Sequence, residues 1–560
     1  MAPCRHAARP WPDKGSAAGE QSAHCRGARA PPSPDHASPS PDTSRPARAI
    51  HDETTGTMIE IDYTHGYYQE LNPLRARLAL LFAGLHCPIM DTACELGFGQ
   101  GMSINLHAAA SPVAWHGTDA NPAHVAFARE IARAAGSEAR LAAEPFAEYA
   151  ARRDMPEFDF IGLHGVWSWV SAENKALLVD FIRRQLKPGG VVYVSYNTLP
   201  GWAAFAPMRH LLVTHAATLG AAGQGIVERI DQALEFTEAL LAAKPLFADH
   251  HPTAGQKLAQ CKRQDRAYLA HEFFTRDWQP MHFAEMAASL APALLDFACS
   301  AHFPDHLDMV NLNQEQRAFL AEIPDPVLRE GVRDFFVNQW FRRDYWVKGM
   351  RRLPPVRQAE LLTEARLVLQ TPRAEVGLQV RGVLGTAEMD GRIYGPLLDQ
   401  LADHRPRSLG QLERSVCTPE LTRAHLHEAV RILVAAGHLA PVQEEAAVKR
   451  ARKHTDRCNA HLLHQAGCSD AVAILVSPVT GGGVPVDRVE QLFLLALTQG
   501  RRQPAEWAAR AWETLVAEGR QLLREGVALA TAADNLDELH ALADRFAARR
   551  LPVLQALQVV

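Results

Sequence analysis

A glycine-rich loop contains the residues with the clearest chemical potential in this sequence. The stretch ELGFGQG, residues 95–101, follows an apolar segment and precedes a helical pattern that begins at Met102. A strand, a tight turn and a helix bring backbone N–H groups and the positive end of the helix dipole to one spot. Glycines there let a ligand approach the main chain where a Cβ would clash. The loop therefore predicts a ligand-binding site.

The spacing of the loop disfavours two phosphate-binding motifs. No Gly-Lys-Ser/Thr sequence follows, which excludes a P-loop. The dinucleotide fingerprint requires a third glycine five positions after the first, and Met102 occupies that position. A pyrophosphate ligand is therefore not expected.

Acidic residues follow the next two predicted strands. Asp119 stands about twenty residues after the loop, where a carboxylate can accept hydrogen bonds from two ribose hydroxyls. Glu144 could accept an adenine amino proton, and the ring of Phe146 could lie against the base. Taken singly, Asp119 equally suits a helix cap and Glu144 a solvated position. Together, their order predicts an adenosine site without a phosphate site.

These residues require an α/β element order to bring them together. Residues 58–220 alternate between strand and helix patterns, which predicts a Rossmann-like, doubly wound parallel sheet with ligands at the carboxyl ends of the strands. The predicted strands are 88–96, 114–120, 158–164 and 190–197, with a third-strand position ending near Glu144, and two of the predicted helices are 124–135 and 173–186.

The remaining segments differ in pattern from the core. Residues 221–350 and 446–560 show long amphipathic helical patterns, and 351–445 contains a helix, turn and helix followed by a short strand, compatible with a winged-helix module. Residues 1–57 are rich in Pro, Ser, Ala and Arg, which predicts a disordered extension. Met58 is an alternative start of the protein.

Composition limits the class of protein. The chain has 560 residues, 47% hydrophobic and 22% charged, which predicts several folded domains rather than a disordered or collagen-like chain. Its net charge of -5 implies no global attraction to nucleic acid or to a membrane surface. Nine cysteines without a CxxC pair fit a reducing compartment, and no apolar run is long enough to span a membrane. We therefore expect a cytoplasmic protein.

Four segments carry a family resemblance. ELGFGQG, WHGTDANPAHVAFAR, FDFIGLHGVWSWVS and KPGGVVYVSYNTLPGW resemble the class I S-adenosylmethionine-dependent methyltransferases over residues 58–215. Residues 268–286 resemble a methyltransferase regulatory domain, and 390–442 resemble the winged-helix module of bacterial protein-lysine methyltransferases. The resemblance implies S-adenosyl-L-methionine as cofactor, a methyl-transfer reaction and a protein acceptor, with lysine as its side chain.

The resemblance also implies roles for individual residues. The glycines would face the methionine and ribose parts of the cofactor, Asp119 would hold the ribose, and Glu95 would fix the ammonium group or brace the loop. The implied cofactor-binding set is Tyr68, Glu95, Gly97, Gly99, Gly101, Asp119, Glu144, Phe146 and His164. Ligands enter an open α/β sheet at the carboxyl ends of its strands, which predicts His164, Tyr196 and Asn197 as catalytic residues and Trp167, Trp169 and Trp202 as substrate-binding residues. Aromatic walls can hold a lysine stem or a methylammonium group, and His164 could accept a proton. Buried aromatic packing and a structurally bonded histidine explain these residues equally well.

The sequence is also compatible with two other functions, and it contains one grouping of possible metal ligands. A small-molecule methyltransferase would use the extra domains only as a cap or for assembly into a homo-oligomer, and a cofactor-binding scaffold would bind without transfer. The grouping Cys458, His461, His464 and Cys468 lacks zinc-finger spacing, so we expect no metal. The winged-helix candidate has nearly balanced charge, which favours a protein partner over nucleic acid.

Overall fold

The fold is built on one mixed sheet of seven strands. The computed structural model describes residues 65–220 and 224–560, so the predicted extension 1–57 and residues 58–64 lie outside the described part. The strand order is β3-β2-β1-β4-β5-β7-β6. The strands are β1 Thr92–Leu96, β2 Ala114–Thr118, β3 Arg140–Ala142, β4 Phe158–Leu163, β5 Leu186–Asn197, β6 Leu295–Ser300 and β7 Phe341–Lys348. Strands β1 to β5 run parallel, which confirms the predicted doubly wound core.

Helices cover both faces of this sheet because its strands are apolar on both sides. In β1, Ala93 faces one core cluster with helices from residues 73–135, and Cys94 faces the other cluster with helices from residues 146–185. A parallel strand buried on both faces needs this near-continuous apolar pattern. The helices of the core are α1 Pro73–Phe82, α2 Met102–Ala110, α3 Pro122–Ala135, α4 Phe146–Ala151 and α5 Ala172–Gln185.

The region after the core is helical but also completes the sheet. Strand β7 pairs antiparallel with β5, and β6 pairs antiparallel with β7. Residues 221–350, predicted to be mainly helical, therefore also contain two strands. Its helices, with the two that precede it, are α6 Leu199–Trp202, α7 Ala206–Thr218, α8 Ile226–Ala242, α9 Leu246–His250, α10 Thr253–Arg263, α11 Arg266–Glu272, α12 Phe283–Leu290, α13 Asp308–Asn311, α14 Gln314–Ala321 and α15 Pro326–Phe336.

Residues 351–445 form a small mixed unit. A three-stranded antiparallel sheet, in the order β11-β8-β12, packs with four helices of the same region. Its helices are α16 Pro355–Glu364, α17 Gly391–Gln400, α18 Leu409–Val416 and α19 Arg423–Ala435. Its strands are β8 Arg366–Leu369, β9 Gln379–Gly382, β10 Gly385–Glu388, β11 Arg407–Ser408 and β12 Leu439–Pro441. The winged-helix description stays a prediction.

The C-terminal region packs directly on the methyltransferase-like core. Helix α20, Glu445–Ala466, lies against α2 and α3, and one apolar cluster contains Leu106 and Ile131 of the core together with Val476 and Leu492. The region also contains two β-hairpins that the helical pattern did not predict. The other elements are α21 Arg488–Thr498, α22 Pro504–Ala517, α23 Ala532–Arg545, α24 Leu551–Ala556, β13 Ile474–Ser477, β14 Gly482–Pro485, β15 Leu523–Arg524 and β16 Val527–Ala528.

Candidate active site

The glycine-rich loop has a backbone that only glycine adopts easily. Gly97, Gly99 and Gly101 all have positive φ, at 72°, 57° and 71°. A Cβ on Gly97 would stand 2.7 Å from the Val166 side chain. Gly101 instead begins α2, and a Cβ there would lie 2.5 Å from the Cβ of Ala128 on α3. The first two glycines therefore shape the cavity wall, and Gly101 allows two helices to approach.

Asp119 connects the glycine loop to helix α3. Its Oδ2 accepts a hydrogen bond from the Gly99 N–H at 2.8 Å, and its Oδ1 accepts one from the Asn121 N–H at 2.9 Å. The same Oδ1 lies 3.2 Å from Nδ1 of His124. These contacts fix the carboxylate at the carboxyl end of β2, where Oδ2 keeps a further lone pair for a ligand hydroxyl.

Two other carboxyl groups at this edge of the sheet have a buried oxygen without a protein partner. Oε2 of Glu95 and Oε2 of Glu144 make no hydrogen bond, whereas Oε1 of Glu144 accepts one from Arg152 at 3.2 Å. Burial, with a smaller effect from Asp119, raises the pKa of Glu95 to about 8. Unsatisfied buried acceptors cost free energy, so this edge suits a ligand with matching donors or positive charge.

These groups line a common cavity of about 180 Å³. Residues predicted for cofactor binding that line it are Tyr68, Glu95, Gly97, Gly99, Asp119, Glu144, Phe146 and His164. Trp169, predicted for substrate binding, lines it as well. The structure thus brings together residues from the ends of four parallel strands, the arrangement expected of a ligand site in an open α/β sheet.

A stack of rings closes one side of the cavity. The rings of Tyr68 and His164 lie 3.4 Å apart between centroids, at 19°. Nδ1 of His164 lies 2.7 Å from the Tyr193 hydroxyl. Burial, with a smaller effect from Arg343, lowers the pKa of His164 well below its usual range, so the imidazole is neutral at physiological pH. The stack is therefore an uncharged wall.

A much larger cleft begins on the other side of this stack. Its volume is about 2490 Å³, and its walls come from the core, the regulatory region, the 351–445 unit and the C-terminal region. Tyr68, His164 and Trp169 line both the cavity and the cleft. Asn197 and Trp202 line the cleft alone. The two spaces therefore meet at the ring stack.

Three predicted site residues line neither the cavity nor the cleft: Gly101, at the contact between α2 and α3, and two side chains of the core. Tyr196 is fully buried and donates a hydrogen bond to Asp344 at 2.8 Å, on the sheet face opposite that of Asn197. Trp167 is also fully buried in the apolar core. Neither side chain lines the cavity or the cleft, because alternation along β5 and the turn after β4 direct them into the core.

Comparison with known proteins assigns the chain to a family. A predicted methyltransferase regulatory domain matches residues 265–348, which include β6 and β7. The Synechocystis protein sll1526 is 37% identical over 509 residues, covering 90% of this chain and 99% of that protein. The chain belongs to the sll1526 family. RP789 of Rickettsia prowazekii is 27% identical over 291 residues, covering 50% of this chain and 51% of that protein.

Solved structures establish the fold of this sll1526-family protein. PKMT2 from Rickettsia typhi, in complex with AdoHcy, superposes with a TM-score of 0.62 at 16% identity, covering 88% of this chain and 99% of PKMT2. A second structure of PKMT2 from Rickettsia typhi gives a TM-score of 0.63. The family member therefore has the fold of a class I methyltransferase with a regulatory domain, as the sequence resemblance implied.

Several residues at the ring stack of this sll1526-family protein were not predicted from sequence. Arg343, on β7 of the regulatory domain, pairs with Glu70 at 2.9 Å, and both line the cleft. Tyr193 holds His164. The first pair is separated by 273 residues, so no local pattern indicates it. His124, five residues after Asp119, could have been found as a histidine in the first turn of the predicted helix.

Membrane spans and metal clusters are absent from the described part of the family member. Within residues 65–220 and 224–560, no helix combines the length and apolar character that crossing a bilayer demands. In the same ranges, no three or more His, Cys, Asp or Glu side chains are grouped as metal ligands.

Proposed function

We propose that this protein binds S-adenosyl-L-methionine and transfers its methyl group to a protein, with a lysine amine as acceptor. One observation carries the proposal. The cavity around the glycine loop and Asp119 opens, across the Tyr68–His164 stack, into a cleft lined by every region of the chain from residue 65 onwards. A cofactor on one side and an acceptor on the other would meet at that stack.

The residues of the cavity fit the proposed cofactor. Asp119 is held at the end of β2, where it can accept hydrogen bonds from ribose hydroxyls. The unpartnered oxygens of Glu95 and Glu144 match an ammonium group and an adenine amino group. Gly97 and Gly99 contribute main chain to the cavity lining. When bound, S-adenosylmethionine supplies an electrophilic methyl group carried by a sulfonium.

The ring stack would act by orientation. Tyr68 and His164 form the boundary between the two spaces, so they can align an acceptor with the reacting centre. His164 is neutral, and its lowered pKa makes it a weak base toward an ammonium group, whose usual pKa is about 10. We therefore propose His164 and Asn197 as orienting groups and solvent as the final proton acceptor.

The size and lining of the cleft favour a macromolecular acceptor. A space of about 2490 Å³ exceeds the cofactor cavity, about 180 Å³, more than tenfold. A drug-sized ligand pocket rarely exceeds about 1,000 Å³. Tryptophans at 169 and 202 line it near the ring stack, and aromatic faces attract alkylammonium groups. These features, with the sequence resemblance, favour lysine.

The proposal is tested by labelling. The purified full chain is incubated with cell lysate and methyl-labelled S-adenosylmethionine, and protein is separated from small molecules. We expect label in discrete protein bands, on lysine by mass spectrometry. Asp119→Ala should weaken cofactor binding by about one to three orders of magnitude, because charge-assisted hydrogen bonding to the ribose is lost. Asp180→Ala, at a half-exposed aspartate on α5, is the matched control.

The other outcomes identify the alternatives. Label confined to metabolites would support a small-molecule methyltransferase. Cofactor binding without any transfer would support a scaffold. Unchanged cofactor affinity in folded Asp119→Ala would refute the cofactor pose itself.

A further inference from the structure

An aromatic group of the helical region forms one wall of the cleft. The indole of Trp202 makes edge contacts with Trp278 at 4.8 Å and with Trp340 at 5.3 Å between ring centroids. Trp202 is buried and Trp340 is half-buried, and both line the cleft. One indole face of this group is therefore available to the cleft.

Trp340 is placed close to the ring stack. Its carbonyl accepts a hydrogen bond from Thr198, the residue after Asn197, at 3.0 Å. The next residue, Phe341, has its ring 6.2 Å from the ring of His164. The Trp340 indole thus lies on the acceptor side of the stack, one residue from the boundary of the cofactor cavity.

A lysine of the chain itself already occupies this face. Nζ of Lys257, on α10, lies 5.0 Å from the centroid of the Trp340 ring, and Lys257 also lines the cleft. Cation–π pairs are common in proteins, so the position of the pair decides its meaning. The neighbouring pair, Arg209 over Trp278 at 4.4 Å, involves a buried guanidinium and lies outside the cleft. Only the Lys257 cation of these two shares the cleft with the proposed acceptor.

We propose that the Trp340 face is a binding position for an alkylammonium group in the acceptor cleft, and that Lys257 occupies it when no substrate is bound. The ligand class is the side chain of lysine or methylated lysine. An incoming acceptor displaces the Lys257 ammonium, which can move into solvent because the side chain is half-exposed. The assignment rests on the proposed function for its biological meaning, but the binding position is testable by itself.

The test measures binding of butyltrimethylammonium, which has the length and charge of a trimethylated lysine side chain, to the full-length protein by ligand-observed NMR. Lys257→Met removes the resident cation at similar volume, so we expect the Kd to fall by about two- to five-fold. Lys257→Arg should match the natural protein. Lys262→Met, on the same helix with its ammonium paired to Glu238, is the control and should change nothing.

A second variant tests whether the Trp340 ring itself binds the ammonium group. Trp340→Leu, with its fold checked by circular dichroism, should abolish butyltrimethylammonium binding at this position. Adding Lys257→Met to Trp340→Leu should then no longer lower the Kd. An unchanged Kd in Lys257→Met, or retained binding in folded Trp340→Leu, would overturn the assignment. Binding of S-adenosylhomocysteine is measured in parallel by calorimetry. If S-adenosylhomocysteine does not bind, the proposed function is refuted. The Trp340 assignment is still decided by the butyltrimethylammonium measurements.

Discussion

At the scale of single residues, the candidate site depends on carboxyl groups with different environments. Asp119 has both oxygens engaged by the protein, so it is held in one orientation. Glu95 is more deeply buried than Asp119 and has an oxygen without a partner, and its pKa is raised to about 8. The first residue is therefore a fixed acceptor, and the second is a group whose charge depends on what binds.

Glu95 should couple cofactor binding to proton release. At pH 7 a carboxyl group with a pKa of about 8 is mostly protonated, and a cationic ligand nearby favours the carboxylate. We expect S-adenosylmethionine binding to release a proton at pH 7, and its affinity to rise with pH and level off above about 8. Calorimetry in two buffers of different ionisation enthalpy measures the release. Glu95→Gln should abolish it, and Glu148→Gln, at an exposed position on α4, should retain it.

Equal proton release in Glu95→Gln and the natural protein would assign the proton to another group. The sequence placed this glutamate correctly beside the loop, because a strand end and a tight turn are local features. It could not reveal the missing hydrogen-bond partner, which depends on the packing of distant segments.

At the scale of elements, the sequence predicted the parallel strands of the sheet and missed the two antiparallel strands, β6 and β7. Strands β1, β2, β4 and β5 fall within or overlap their predicted ranges. Strand β7 reads FRRDYWVK, and its charged residues obscure the apolar pattern. Arg342 and Asp344 are nevertheless buried, because the guanidinium bonds Asp344 at 2.8 Å and Asp334 at 2.7 Å. Buried charges satisfied by distant partners cannot be recognised from local hydropathy.

A turn of the C-terminal region holds the segment that carries Tyr68. Nδ2 of Asn72 donates to the Thr480 carbonyl at 3.0 Å, in the turn between β13 and β14. A Cβ on Gly482 would overlap the Tyr67 hydroxyl, so the hairpin backbone contacts that ring closely. The Gly481 carbonyl lies 3.3 Å from Nδ1 of His107 on α2. The hairpin thus fastens both this segment and the helix that begins at the glycine loop.

Asn72→Asp should loosen this contact without removing the helix cap. Oδ1 of Asn72 accepts a hydrogen bond from the Leu74 N–H, and an aspartate oxygen can accept the same bond. The second aspartate oxygen, however, cannot donate to the Thr480 carbonyl as Nδ2 of Asn72 does. We expect S-adenosylhomocysteine affinity to fall by up to about ten-fold, because Tyr68 loses its support. Asn313→Asp alters the corresponding cap of α14 at an exposed position and should leave affinity unchanged. Normal affinity in folded Asn72→Asp would contradict the role of the hairpin.

At the scale of the whole molecule, the core and the C-terminal region share one apolar cluster. Met102 and Leu106 of α2 pack in the same cluster as Val476 and Phe493. The predicted domain boundaries near residues 220, 350 and 445 follow changes in the local hydropathy pattern. The apolar cluster nevertheless joins residues from both sides of these boundaries. A shared cluster predicts that these parts unfold together, since neither buries its apolar surface alone.

Calorimetry should therefore show the core and the C-terminal region unfolding in a common transition. A ligand that binds only the folded state at 100 times its Kd stabilises it by about 2.7 kcal/mol. We expect saturating S-adenosylhomocysteine to raise the whole transition in temperature. The shift should be much smaller in Asp119→Ala. Two resolved transitions, of which the ligand moves one, would show that the regions unfold independently.

The contact between Asn72 and Thr480 also sets the order of events during synthesis of the chain. The two residues are 408 positions apart. At about 5 to 20 residues per second, a ribosome needs roughly 20 to 80 seconds to progress from one to the other. Strands β1 to β5 emerge early, but the hairpin cannot hold the segment bearing Tyr68 until Thr480 has been made. The cofactor cavity of a nascent chain is therefore completed long after its glycine loop has been synthesised.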